Sequence, residues 1–271
     1  SDHMKALGAK KSLFVPKILH EMGLDAFEYQ CGNGVVISLP AAEALGEECK
    51  TWGVAPSVHA PYYISMSSVE EEKRQNSVDY ILKTARVAKA MGAERIVVHT
   101  GSCAKLSREE AMVFAADTLK KALAALDEEN LGSVCICPET MGKINQLGTL
   151  EEVLELCKID ERLIPCIDFG HLNARTFGKK KKIEDYAAIL DAVKNELGET
   201  RAANFHSHFS KIEYTAGGEK RHLTFEDTVF GPDFEPLAEL IAERNMSPRF
   251  ICESSGTMDT DALLMKQCYL A

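Results

Sequence analysis

The amino-acid sequence predicts a single-domain (β/α)8 barrel, and three observations carry that expectation. Strand-like and helix-like segments alternate along the chain and count to eight βα units. No Pro/Gly/Ser-rich linker divides the 271 residues, a length that α/β barrels reach as one domain. A doubly wound nucleotide-binding sheet should carry a Gly-rich turn after its first strand, but the chain reads Ala9-Lys10-Lys11-Ser12 there.

The expected elements follow in order. A short strand at 5–9 precedes a helix at 15–22, which stops at Gly23. The second strand, 26–29, leads to a helix from near Pro40 to just before Gly53, and the third strand is 56–59. A long amphipathic helix over 69–91 is ended by Gly92, a usual C-terminal signal. The fourth strand, 95–99, precedes a helix from about Arg108, capped by Ser107 with acids at Glu109 and Glu110. Strand five spans 134–139 and its helix 150–157; strand six is the apolar run 164–167, followed by a helix at 183–197. Strand 203–208, helix 234–244, strand 250–253 and helix 260–269 complete the series. The first three residues, Ser1-Asp2-His3, read as a cloning scar, so the expected domain is 4–271.

Composition narrows the class. With 45% hydrophobic and 27% charged residues, the chain has enough apolar content for a full core. No apolar run approaches membrane-spanning length and no secretory signal is present. Nine cysteines without a CxxC pair, several inside apolar runs, read as buried reduced thiols. Cys31 and Cys103, in loops at the expected mouth, read as ordinary thiols too. The expectation is a cytoplasmic monomer. A formal net charge of −10 argues against broad electrostatic binding of nucleic acid but leaves room for a local basic face.

The chemistry sits at the strand ends. Strand three ends in His59, strand four in His99, strand five in Glu139 and strand six in Asp168 with His171 three residues on. Strand seven ends in His206-Ser207-His208 and strand eight in Glu253. In a barrel these ends converge on one mouth. So many ionisable groups would repel one another and lose hydration there unless metal ions neutralised them. Imidazoles mixed with carboxylates suit zinc, manganese or iron, whereas magnesium favours oxygen ligands. One tetrahedral ion cannot use them all, so at least two metals are expected, with Glu139 as a bridge. Such pairs, about 3.5–4 Å apart, suit in-line attack on phosphorus. His206 and His208 project to the same side of a strand, so either can be the ligand.

At these residues the sequence resembles the endonuclease IV family of apurinic/apyrimidinic endonucleases, within the wider xylose isomerase-like TIM barrels. By that resemblance His59, His99 and Glu139 match the ligands of a first zinc. Glu139, Asp168, His206 and Glu253 match a second set, and His171 with His222 a third. Asp168-x-x-His171 is the most specific match, and His206 is preferred to His208 because it keeps the family's spacing to Lys211. Tyr62 matches a tyrosine used against DNA at the abasic site. The resemblance implies two zinc ions with a possible third site, or manganese. It also implies DNA containing abasic sites as partner, and a metal-activated hydroxide that cleaves the phosphodiester 5′ to the abasic sugar. Glu139, Asp168 and Glu253 are the carboxylates it would make catalytic. Three features depart from the family pattern. Lys220-Arg221-His222 puts lysine where the third metal expects aspartate, with Glu219 one position away. His208-Phe209 replaces Asn-Asp, and the loop Gly32-Asn33-Gly34-Val35 looks short and lacks an arginine.

Basic residues beside the expected mouth can hold phosphates: Arg175, Lys179 to Lys182, Lys211, Lys220 and Arg221. Gly217-Gly218 reads as a mobile segment or a plain turn, and Trp52 as a packing residue. The competing function is a sugar isomerase or epimerase on the same barrel. It would use one divalent ion held by Asp168 and His206, with Glu139 and Glu253 as the acid/base pair. Such a site has no use for His59, His99 or His171.

Overall fold

The computed structural model describes residues 1–8 and 11–271. Its first segment departs from expectation. In place of the strand expected at 5–9, a short helix, α1 (Asp2–Ala6), takes the first part, and Ala9 lies outside the described residues. The stretch lacks the β-branched and aromatic residues that favour strands, and the Ser1 hydroxyl accepts a hydrogen bond from the Met4 amide to start the turn (3.0 Å). Next come α2 (Val15–Glu21), β1 (Ala26–Gln30), α3 (Leu39–Trp52) and β2 (Ala55–His59). Then follow α4 (Glu71–Met91), β3 (Arg95–Val98), α5 (Arg108–Glu128), β4 (Cys135–Pro138) and α6 (Leu150–Cys157).

The second half begins with β5 (Cys166–Asp168), which runs directly into α7 (Phe169–Arg175). This helix is not among the expected elements; Asp168 starts it by accepting the His171 amide (2.7 Å). After α8 (Ile183–Leu197), a one-turn helix α9 (Glu199–Ala203) occupies the start of the expected seventh strand, so β6 is only His206–Phe209. An antiparallel hairpin, β7 (Ile212–Thr215) with β8 (Gly218–His222), then rises from the mouth, with Ala216-Gly217 as its turn and Gly218 opening β8. The chain ends with α10 (Glu235–Glu243), β9 (Arg249–Cys252) and α11 (Met258–Leu270).

Seven parallel strands thus alternate with helices to form the barrel. β1-β2-β3-β4 pair in one run and β5-β6-β9 in another. The bridges Ile136↔Leu163 and Glu139↔Cys166 join β4 to the β5 side. On the opposite side no backbone pairing links β9 to β1 among the described residues. A slot of about 1100 Å3 lies there, lined by Phe27, Phe250 and Met265 along its length and by Glu253 and His222 at its mouth end. The first expected strand, at 5–9, would have been the strand to fill this position.

The helices pack one face onto the strands. α4 buries Val78, Ile81, Ala85 and Ala88, residues three to four apart, and ends where Gly92 takes the left-handed conformation (φ 71°) that glycine adopts without strain. Two capping boxes, Ser107 with Glu110 and Thr149 with Glu152, satisfy the first amides of α5 and α6. Trp52 packs as expected, among Leu19, Val54 and their neighbours. The cysteines are all free, and burial pushes the Cys31 and Cys49 thiols up to about 11. Among the described residues no helix is long and apolar enough to cross a membrane.

Candidate metal centre

Register decides which side chains share a level at the mouth. Asp168 pairs with His208 across β5 and β6, and Glu139 bridges to Cys166, so the two carboxylates and His208 emerge together. His59 ends β2, and His99 follows β3 directly. Glu139 is the hub. Its Oε2 lies 3.4 Å from His59 Nε2 and 3.2 Å from His99 Nε2; its Oε1 lies 3.1 Å from His208 Nδ1 and 3.3 Å from His171 Nδ1. His208 Nδ1 also faces Glu253 at 3.5 Å. The structure therefore brings together His59, Glu139 and His208, and beside them Glu139, Asp168, His208 and Glu253.

A third group stands on the rim, where the hairpin meets α7. His171 Nε2 lies 3.4 Å from Glu219 Oε2, and His222 Nε2 lies 3.9 Å from Glu219 Oε1. Glu219 thus lies beside both imidazoles, one position from Lys220. This closeness depends on Gly142, where a Cβ would meet Glu219 Cβ at 2.6 Å and His171 Cδ2 at 2.9 Å.

The two strand-seven histidines stand at different depths. His206, the preferred ligand on spacing, lies one inward-facing position deeper and is fully buried. Its Nε2 meets Glu28 Oε2 at 2.9 Å. The cause is the short β6: only the residue abreast of Asp168 reaches the mouth, and that residue is His208. Glu28, in the middle of β1, is absent from the residues that the sequence singles out. It accepts hydrogen bonds from Ser57 (2.9 Å), His206 (2.9 Å) and His208 Nε2 (2.8 Å) in the barrel interior.

The electrostatics follow from this crowding. Burial disfavours the charged form of Glu139, yet the His208 charge and the contacts from His171, His208 and His59 outweigh it and hold the carboxyl well below its usual range. Burial likewise opposes charging of His59, but Glu139 and Glu28 together lift it to about 9. His206 behaves oppositely: burial outweighs Glu28 and lowers it to about 4, so it is a neutral donor. Burial raises Asp168, against the pull of His171.

These donors fit a group of divalent cations. Asp168 Oδ2 is buried without a hydrogen bond, because the nearby His171 Nδ1 is held by the Thr140 carbonyl at 2.9 Å. The imidazoles are oriented from behind: His59 Nδ1 meets the Ala60 carbonyl (2.7 Å), His208 Nε2 meets Glu28, and His222 Nδ1 meets the Ser210 hydroxyl (2.8 Å). In each, one ring nitrogen is tied to an oxygen and the other faces the carboxylates, which is how metal-binding histidines are held. Nitrogen and oxygen donors of this mixture suit zinc or manganese.

The residues expected to grip substrate divide. Tyr62 is exposed on the rim, its hydroxyl donating to Asn33 Oδ1 (3.1 Å). Arg175 is not available: it is buried, and its guanidinium donates to the carbonyls of Met141 (2.6 Å) and Gln146 (3.4 Å). Lys211 is also engaged, with the Asp227 carbonyl at 2.7 Å and Asp233 at 3.1 Å. Lys220 and Arg221 pair with Glu213 on the hairpin, both at 2.6 Å. In the run from Lys179 to Lys182, Lys179, Lys181 and Lys182 are exposed.

The chain is similar to known proteins in different degrees. An uncharacterised protein of Methanocaldococcus jannaschii is 34% identical over 252 residues, covering 93% of this chain and 89% of that protein. A protein of Mycoplasma pneumoniae named Probable endonuclease 4 is 28% identical over 192 residues, covering 69% of this chain and 63% of that protein. Among solved structures, a D-tagatose 3-epimerase-like protein superposes with a TM-score of 0.72 at 22% identity over 94% of this chain and 91% of its own, a likeness of fold alone. The family described as xylose isomerase-like TIM barrel matches residues 16–267. With that match spanning nearly its whole length, the chain belongs to the xylose isomerase-like TIM barrel family.

Proposed function

We propose that the protein is a metal-dependent phosphodiesterase that cleaves DNA 5′ to abasic sites. The observation that carries this reading is the sharing of Glu139 between two donor groups, with the His171, Glu219 and His222 group adjoining them. His59, His99 and Glu139 would hold one ion, Glu139, Asp168, His208 and Glu253 a second, and the rim group a third. Bound divalent ions supply Lewis acidity toward a phosphodiester and offset the charge of the carboxylates. The protein's own part is orientation. The Ala60 and Thr140 carbonyls, Glu28 and Ser210 fix the imidazoles, so little reorganisation remains when a phosphate enters. Tyr62 offers an aromatic face at the rim where an unstacked sugar or base can rest, and the exposed lysines of 179–182 provide phosphate contacts.

Endonuclease 4 names among the relatives support the DNA substrate. The second reading, a sugar epimerase, draws on the approach of Glu139 and Glu253 to His208, a pair of carboxylates fit for acid/base work across one ion. It leaves His59, His99, His171 and His222 without a task, which ranks it below the first. The test is incision of a duplex oligonucleotide carrying one abasic site, with and without a strong chelator. Cleavage on the 5′ side, lost on chelation and restored by zinc or manganese, is expected. Absence of incision by metal-loaded protein, with turnover of a ketose instead, would move the assignment to the epimerase.

A further inference from the structure

We infer that Glu28 is a positioning residue that sets the tautomer and aim of His208, and so controls binding of the ion held by Glu139, Asp168 and Glu253. The inference rests on the metal reading above and extends it to a residue outside the donor groups. Glu28 is the one carboxylate on β1 and lies buried in the barrel interior. Such a charge inside a barrel is costly unless every oxygen is satisfied. Here Oε1 accepts from His208 Nε2 at 2.8 Å, and Oε2 accepts from His206 Nε2 at 2.9 Å and from the Ser57 hydroxyl at 2.9 Å. The two oxygens are therefore divided: Oε1 faces His208, with a longer contact from Gln30 Nε2 (3.4 Å), and Oε2 is anchored to the barrel wall.

The division fixes the histidine. A carboxylate accepts and cannot donate, so His208 must carry a proton on Nε2 when it meets Glu28. With Nε2 so held, Nδ1 is the nitrogen that would release its proton to an ion, and it faces the space between Glu139 (3.1 Å) and Glu253 (3.5 Å). The opposite tautomer would put a proton on Nδ1 and close that ligand position. His206 and Ser57 keep Glu28 from turning, which explains why strand seven carries a second histidine that never reaches the mouth. Backbone carbonyls hold His59 and His171, whereas Glu28 is the carboxylate that holds the Nε2 side of His208.

Glu28→Gln tests this with little change of shape. The amide nitrogen can face His208 Nε2 and donate to it, which favours the Nδ1–H tautomer. Zinc affinity, measured by competition with a chromophoric chelator, should fall about 10–100-fold, the usual cost of losing such a partner. Ser57→Ala removes one of the two bonds on the anchored oxygen while His206 still holds it, so zinc affinity should fall far less than in Glu28→Gln. Long-range 1H–15N spectra of the zinc-loaded wild-type protein should show His208 protonated on Nε2. That readout serves even where Glu28→Gln fails to fold. Wild-type protein that takes up no zinc or manganese overturns the metal reading itself. Uptake by wild type with unchanged affinity in Glu28→Gln, or a proton on Nδ1 of His208, overturns the role of Glu28 alone.

Discussion

Glu139→Gln is the most informative single change, because one carboxylate faces four imidazoles. Consider first the chelated protein. His59 titrates near 9 there, against about 6.5 in an unfolded chain, and the difference corresponds to about 3 kcal/mol of stability. The folded value is the higher one, so this stabilisation is complete below about pH 6.5 and is lost as pH rises through about 9. Removing the Glu139 charge removes the largest force that lifts His59, the hydrogen bond and attraction that overcome its burial. Urea unfolding of chelated wild-type protein should therefore weaken by at least about 3 kcal/mol between pH 6 and pH 9.5, since His171 and His208 are raised as well, while Glu139→Gln should start lower and show a flatter profile. With metal present, the variant should lose ions and activity together, because the bridging carboxylate is gone. A wild-type profile that is flat over this range, or a variant with the same slope as wild type, would refute the electrostatic argument. Full metal retention by the variant would refute the bridge.

Three other changes probe neighbouring claims. Arg175→Ala should cost about 1.5–3 kcal/mol in urea unfolding, since it strips a charged donor from the Met141 carbonyl, and should leave the salt dependence of DNA binding untouched; a reduced salt slope would return Arg175 to the substrate face. Gly142→Ala should push the hairpin away from His171 and release one ion per chain, counted by elemental analysis, with the other ions retained; an unchanged count would show that Glu219 is not a ligand. Replacing Lys179 to Lys182 with alanine should flatten the salt dependence of DNA binding by about one unit for each phosphate no longer neutralised, and an unchanged slope would make the run a solvated surface.

The mouth was legible in the sequence because its chemistry lies where apolar runs stop. His59, His99, Glu139, Asp168 and Glu253 each follow a short buried strand, and a barrel gathers such ends by construction. His206 and His208 were not separable in the same way. Alternation places both inside, and depth depends on register with β5, which no local pattern records. Glu28 did leave a signal: in Ala-Phe-Glu-Tyr-Gln it shares a strand face with Ala26 and Gln30, so an acid was being sent to the interior. The first strand failed for a different reason. Alanine and lysine favour helix, Ser1 caps the turn, and α1 forms where a strand was expected. Arg175 and Lys211 sit close to the mouth in sequence, but backbone carbonyls claim them first.

The unpaired side of the barrel gives the donor groups a second duty. Where β9 and β1 share no ladder, the cylinder is fastened by side chains that cross its lumen and its seam: Glu28 of β1 to His206 and His208 of β6, and Arg249 of β9 to the Pro56 carbonyl of β2 (3.0 Å). Through His208 that fastening continues to Glu139 and Glu253, the same carboxylates that face the mouth. Site and scaffold are thus one mechanical circuit. An ion that draws on His208 tightens the clasp across the seam, and a cylinder that splays along the seam pulls the imidazole out of line. Ions held by the centre would stiffen the barrel along with the strands around it.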